Sequence, residues 1–182
     1  MKATSIERAD KVLDDVFLLK LRNIADQRGD FVKVFHSLDL ADYGICFSVA
    51  ESFISTSKAR VIRGMHFQLP PYEHYKLVYC VSGRILDVVV DIRKSSKLFN
   101  KPFSLEMSSD GNMALLIGKY YAHGFLSLQE NTKLLYMTST VHSPLHDTGI
   151  LWSSIDFKWP ILDPILSERD RMHPSLQTFN LE

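Results

Sequence analysis

Short apolar runs separated by turn-forming residues recur along almost the whole chain. The pattern predicts strands over residues 16–21, 31–36, 45–50, 60–67, 76–81, 84–92, 103–107, 113–117, 124–128 and 134–139. Ser82-Gly83, Ser109-Asp110-Gly111-Asn112 and Gln129-Glu130-Asn131 are turn signals between them. Helix is confined to a turn or two in 37–43 and a piece that starts at Ser167, an N-cap followed by Glu168 and Asp170, and stops at His173-Pro174. Many short strands at this spacing predict an all-β sandwich or barrel. With no internal repeat, low-complexity tract or linker, residues 1–182 read as one domain.

One turn permits a register argument. If Ser82-Gly83 closes a two-residue hairpin, Val81 pairs with Arg84, Val78 with Asp87, and Lys76 with Val89. Lys76, Val78, Cys80, Ile85, Asp87, Val89 and Asp91 then share one sheet face, with Lys76 diagonal to both aspartates. Two readings stand: a surface ion-pair ladder, or a lysine held in a barrel mouth by carboxylates.

Composition narrows the class. Apolar residues make up 46% of the 182, which excludes a disordered chain. No apolar run is long enough to span a bilayer, and the charged N-terminus has no apolar signal core, so a cytoplasmic protein is expected. Twenty-one basic and 21 acidic residues balance, which argues against nucleic-acid binding through bulk charge. Cys46 and Cys80 lie in strand-like runs without a C-x-x-C and read as reduced, buried small hydrophobes.

Seven histidines invite a metal hypothesis, but His66 is followed by Phe67-Gln68, so the H-x-H pair of metal-binding barrels is missing and no metal is expected. No nucleophile elbow, P-loop or dinucleotide-binding glycine pattern is present. Trp152 and Trp159 read as core. His66, Lys76, Tyr136 and Asp170 are each polar within apolar sequence. Together they supply what proton transfer at a carbon beside a carbonyl requires: a base, an acid and an oxyanion stabiliser.

The blocks V-I-R-G-M-H-F-Q, Y-K-L-V-Y-C-V-S-G-R-I-L-D-V-V-V-D-I-R, A-H-G-F, L-L-Y, G-I-L-W, W-P and L-S-E-R-D occur in an order and spacing that resembles the dTDP-4-dehydrorhamnose 3,5-epimerase family, the cupin-like nucleotide-sugar epimerases. The resemblance implies a metal-independent, cofactor-free homodimer acting on a nucleotide-diphosphate sugar. It implies that His66 is the general base, Asp170 its carboxylate partner, Tyr136 the proton donor on the opposite sugar face, and Lys76 the enolate stabiliser. It also implies substrate contacts from Arg63, His123, Gln68 and Arg28, the last across a dimer interface.

Departures from the family pattern concentrate at recognition positions. Val32-Lys33 stands where an acid is usual, Glu51-Ser52-Phe53 replaces Q-x-N, Val141-His142 replaces an aromatic pair, and Gly118-Lys119-Tyr120 replaces P-x-G. These changes spare the proton-transfer set and point to a modified or differently activated 4-ketohexose, a CDP-linked one included, inverted at C3, C5 or both. The competing expectation is a catalytically idle barrel that binds a nucleotide sugar or serves as an assembly subunit. Finally, strict alternation places Arg63 and His66 on opposite faces. A bulge at Gly64-Met65 is expected to bring both inward.

Overall fold

The computed structural model describes residues 4–181. In chain order the strands are β1 (Ile6–Leu13), β2 (Val16–Leu21), β3 (Asn23–Asp26), β4 (Gly29–Val32), β5 (Glu51–Ser57), β6 (Ile62–Gln68), β7 (Lys76–Ser82), β8 (Arg84–Asp91), β9 (Pro102–Ser108), β10 (Met113–Ile117), β11 (Tyr121–Ser127), β12 (Thr132–Thr138) and β13 (Asp147–Gly149). Two helices of five residues complete the set, α1 (Ser37–Ala41) and α2 (Glu168–Met172). A six-stranded sheet in the order β1-β2-β10-β7-β12-β5 faces a five-stranded sheet, β13-β6-β11-β8-β9, while β3 and β4 form a separate hairpin. The all-β sandwich expected from the strand spacing is the one found, in the cupin-like jelly-roll form that the family resemblance implies.

Three apolar layers hold it together. Between the sheets lie Val78, Cys80, Ile85, Val89, Leu115, Phe125, Leu134 and Tyr136. Outside the five-stranded sheet, Val88, Val90, Ala122 and Leu126 are covered by the C-terminal segment through Ile155, Trp159 and Leu176. Outside the six-stranded sheet, Leu19, Leu77 and Leu116 are covered by Leu40, Ile45 and Phe47. The central strands are therefore buried on both faces, which is why β8 and β10 read as nearly continuous apolar runs.

The hairpin expectation fails in an instructive way. β7 pairs with β10 and β12, whereas β8 pairs with β9 and β11. Ser82-Gly83 is a corner between the two sheets, with Gly83 at φ +86°. A tight turn between apolar strands carries the same local signal in either case, because what decides the pairing is the rest of the sheet. The shared face survives nonetheless. Val78, Cys80, Ile85 and Val89 all point into the space between the sheets, so they meet across it rather than side by side. The ion-pair ladder does not form: Asp91 is bound by Arg93 at 2.7 Å and Asp87 by His123 at 2.9 Å.

Other boundaries moved as well. Residues 45–50 are not a strand, because Ile45 and Phe47 are spent capping the outer layer, and the strand begins at Glu51. Of 31–36 only the first two residues are strand. β1, β3 and β13 carry too little apolar pattern to be read. Both cysteines are free, but Cys46 is exposed rather than buried, since it falls in this non-strand segment. The helix at 168 is as expected: Ser167 Oγ accepts from the backbone N–H of Asp170 at 3.1 Å.

Candidate active site

β6 sets the geometry. Along its ladder with β11, Arg63 pairs with Phe125 and His66 with His123, three steps on one strand against two on the other. The extra residue is a bulge at Gly64-Met65, a peptide that is cis. Gly64 has φ +136°, and a Cβ there would lie 2.5 Å from the Gly124 Cα and 2.9 Å from the His123 carbonyl oxygen. Met65 is turned fully into the outer layer. Arg63 and His66 consequently line the same cavity despite their spacing of three.

That cavity, about 240 Å³, opens between the sheets. The five-stranded sheet contributes Arg63, His66, Gln68 and His123, and the six-stranded sheet contributes Phe53, Ser55, Lys76, Tyr136 and Thr138. His66 Nε2 lies 2.7 Å from Asp170 Oδ1, and Asp170, brought in by α2, is 3% exposed. The Gly64 backbone N–H points at the other carboxylate oxygen at 3.4 Å. Burial, the largest single influence, works against the charged Asp170, but the His66 hydrogen bond and charge, the Gly64 N–H and His173 together outweigh it and hold the carboxyl below its ordinary range. An ionised carboxylate only accepts, so Nε2 is the donor in this pair, and in the neutral form of the ring the lone pair lies on Nδ1.

A second pair, His123 and Asp87, lies wholly buried at 2.9 Å. Burial pushes the His123 imidazole down, overriding Asp87, so the ring is neutral. Burial also lowers Lys76 to about 8, against the attraction of Asp147 and Asp87. It raises the Tyr136 phenol well above its usual range. Near neutral pH the site thus holds a mostly protonated amine and a protonated phenol. The Phe53 ring stacks on that of Tyr136 at 4.8 Å and 15°.

Arg63 is braced by Ser57 Oγ at 3.0 Å and the Thr56 carbonyl at 3.1 Å, and it has no carboxylate partner among the described residues. Gln68, expected as a substrate contact, lines the cavity and is also held by a dense set of hydrogen bonds. Its amide donates to Tyr72 O at 2.9 Å and Val141 O at 3.2 Å and lies 3.1 Å from His74 Nδ1, and its oxygen accepts from Ser143 N at 2.7 Å. The side chain ties two loops at the cavity edge together. Burial keeps His74 neutral, its pKa lowered to about 3, so it accepts that bond. Arg28 does not line the cavity: it sits on the exposed β3–β4 hairpin, ion-paired with Asp26 at 2.6 Å.

Sequence reasoning missed the mouth of the cavity. Asp147 joins Arg169 at 2.7 Å and His142 at 3.1 Å, and the His142 backbone N–H donates to Glu51 at 2.5 Å. Glu51, Phe53 and His142 were visible only as departures from a pattern. Arg169 was legible as the neighbour of Asp170 on the same short helix, and Asp147 left no signal.

The family profile described as dTDP-4-dehydrorhamnose 3,5-epimerase matches residues 10–178. A dTDP-4-dehydrorhamnose 3,5-epimerase of Shigella flexneri is 37% identical over 161 residues, covering 87% of this chain and 89% of its own. The crystal structure of the dTDP-4-dehydrorhamnose 3,5-epimerase from Sulfolobus tokodaii superposes with a TM-score of 0.88 at 36% identity, covering 94% of this chain and 96% of its own. A 3'-monoepimerase from Streptomyces bikiniensis, solved with dTDP-quinovose, gives 0.84 at 28% identity over 98% of this chain and 88% of its own. Fold, cavity and sequence agree: this chain is an isomerase belonging to the dTDP-4-dehydrorhamnose 3,5-epimerase family.

Proposed function

We propose that the protein epimerises a nucleotide-linked 4-keto-6-deoxyhexose at C3, C5 or both, in deoxysugar biosynthesis. The observation that carries the reading is the placement of His66 and Tyr136 on opposite sheets, with Lys76 lining the cavity they share. A 4-keto group acidifies the hydrogens on its neighbouring carbons, because the carbanion delocalises onto oxygen. His66 Nδ1 takes the proton from one face, and Asp170 stabilises the imidazolium that results. Lys76 holds the O4 oxyanion, a contribution of about 3–4 kcal/mol for one well-placed donor. Tyr136 returns a proton to the opposite face, its phenol kept protonated by burial.

His123 is the neutral neighbour that accepts a sugar hydroxyl through Nδ1, since Nε2 is committed to Asp87. Arg63, free of any carboxylate among the described residues, meets the diphosphate. Gln68 acts by fixing the loops around the pocket. The Arg28 hairpin reaches a sugar nucleotide only from a second copy, so the working form is a homodimer.

A dTDP-linked 4-ketosugar is the first substrate to offer, on the strength of the relatives. A panel of dTDP- and CDP-linked 4-ketosugars in deuterated water, read by NMR, tests the proposal. Deuterium at C3 or C5 is expected and identifies the centre inverted. Binding without exchange for every panel member overturns it and leaves an idle sugar-nucleotide barrel. Tyr136→Phe should keep exchange but block completed inversion, and loss of both would reassign the acid.

A further inference from the structure

Behind the His66–Asp170 pair stands a third group that the proposed reaction does not use. His173 closes α2, and its ring meets the His66 ring edge-on at 5.7 Å. Its side chain is 9% exposed, and its Nε2 is fully buried, has no hydrogen-bond partner among the described residues, and lies 3.7 Å from Asp170 Oδ1. The room for it is specific. A Cβ on Gly149 would sit 2.7 Å from that nitrogen, so the glycine admits the ring. An orphaned buried nitrogen costs about 1–3 kcal/mol.

We infer that His66 Nε2, Asp170 Oδ1 and His173 Nε2 form an inhibitory site for a zinc-like divalent cation. The three ligand atoms lie within 4.8 Å of one another. Two imidazole nitrogens and a carboxylate oxygen are the donor set such ions take.

Coordination changes the base without filling the cavity. With the ion on Nε2 of His66, the neutral ring carries its proton on Nδ1. The proton moves from one nitrogen to the other, and none is lost from the ring. The lone pair that faced the substrate is gone, while Arg63, Lys76 and His123 are untouched. Zinc should therefore lower kcat and leave KM alone. This part rests on His66 being the base; the binding itself does not.

The two are separated by measuring them apart. Calorimetry with Zn²⁺, and the visible spectrum with Co²⁺, should show one site per chain in the wild type, weakened about 100-fold in His173→Gln, whose chain folds and turns over normally in chelator. Equal binding by wild type and variant, or none by the wild type, overturns the site. Should the variant not fold, imidazole ¹⁵N spectra of the wild type decide: zinc must move the Nε2 signals of both His66 and His173, and a shift of neither removes the proposal. Confirmed binding with a zinc-independent kcat would instead show that His66 is not the base.

Discussion

The cavity holds two histidine–aspartate pairs that are cross-strand neighbours, His66 opposite His123, yet they are not equivalent. His123 and Asp87 sit on adjacent regular strands, at 4% and 0% side-chain exposure, with no route for charge to be solvated. His66 projects from a bulge, is 29% exposed, and receives its aspartate from a helix 104 residues away. The same two functional groups therefore differ in what their surroundings allow. A buried pair holds a neutral ring in a fixed tautomer. A pair at a cavity wall, with a carboxylate also pointed at by a backbone N–H, can tolerate the imidazolium that the proposed proton abstraction would create. Chemistry is assigned by burial and approach, not by residue identity.

The contrast can be broken most sharply at His66. His66→Asn should lower kcat by about 10²–10⁴-fold and abolish solvent exchange, because the variant lacks the proposed base. A variant that retains exchange would move the base elsewhere. Lys76→Met should cost about 10²–10³-fold in kcat if the amine holds the oxyanion. The wild type should lose activity as pH rises through about 8, where Lys76 gives up its proton. The stability sign runs the other way. Folding lowers the Lys76 pKa from 10.5, so the charged amine destabilises the fold fully below pH 8, and stability is regained between 8 and 10.5. Lys76→Met should thus melt higher at pH 7, by ~1–3 kcal/mol in chemical denaturation. A less stable variant would show that the amine is paired.

Gly64→Ala attacks the bulge that distinguishes the two pairs. Its methyl would meet the backbone of Gly124 and His123 at a φ of +136°. A loss of ~3 kcal/mol in stability is expected, with activity falling further than that of a surface variant of equal stability. Smallest is Asp87→Asn. The amide oxygen still accepts from His123, and Asp87 Oδ1 is buried without a partner, so about a tenfold loss in kcat/KM with little change in melting temperature is expected. A collapse comparable to His66→Asn would make the buried pair the reactive one.

Much of this was legible beforehand because strand faces follow parity. The interior positions of β7 and β8 were right even though the pairing was wrong, since alternation along each strand fixes which side chains share a face whichever strands it pairs with. The bulge was legible from the conflict between spacing and glycine chemistry at Arg63–His66. The loop-fixing bonds of Gln68 were not legible because its partners at Tyr72, His74, Val141 and Ser143 assemble only in three dimensions. The ionic mouth of Asp147, Arg169 and His142 was invisible for the same reason.

The sequence alone determined the all-β class, the inward faces of the central strands, the need for irregularity at Gly64, and the set of groups able to move a proton beside a carbonyl. Those properties are local: period, turn chemistry and side-chain type. Only the tertiary structure decided which strands pair, that Cys46 lies outside a strand, and which histidine is neutral. It also decided that the Asp170 helix brings Arg169 to the cavity lining beside Asp147 and His173 against the His66 ring. Such outcomes depend on burial and on distances between segments far apart in the chain, which no local pattern encodes.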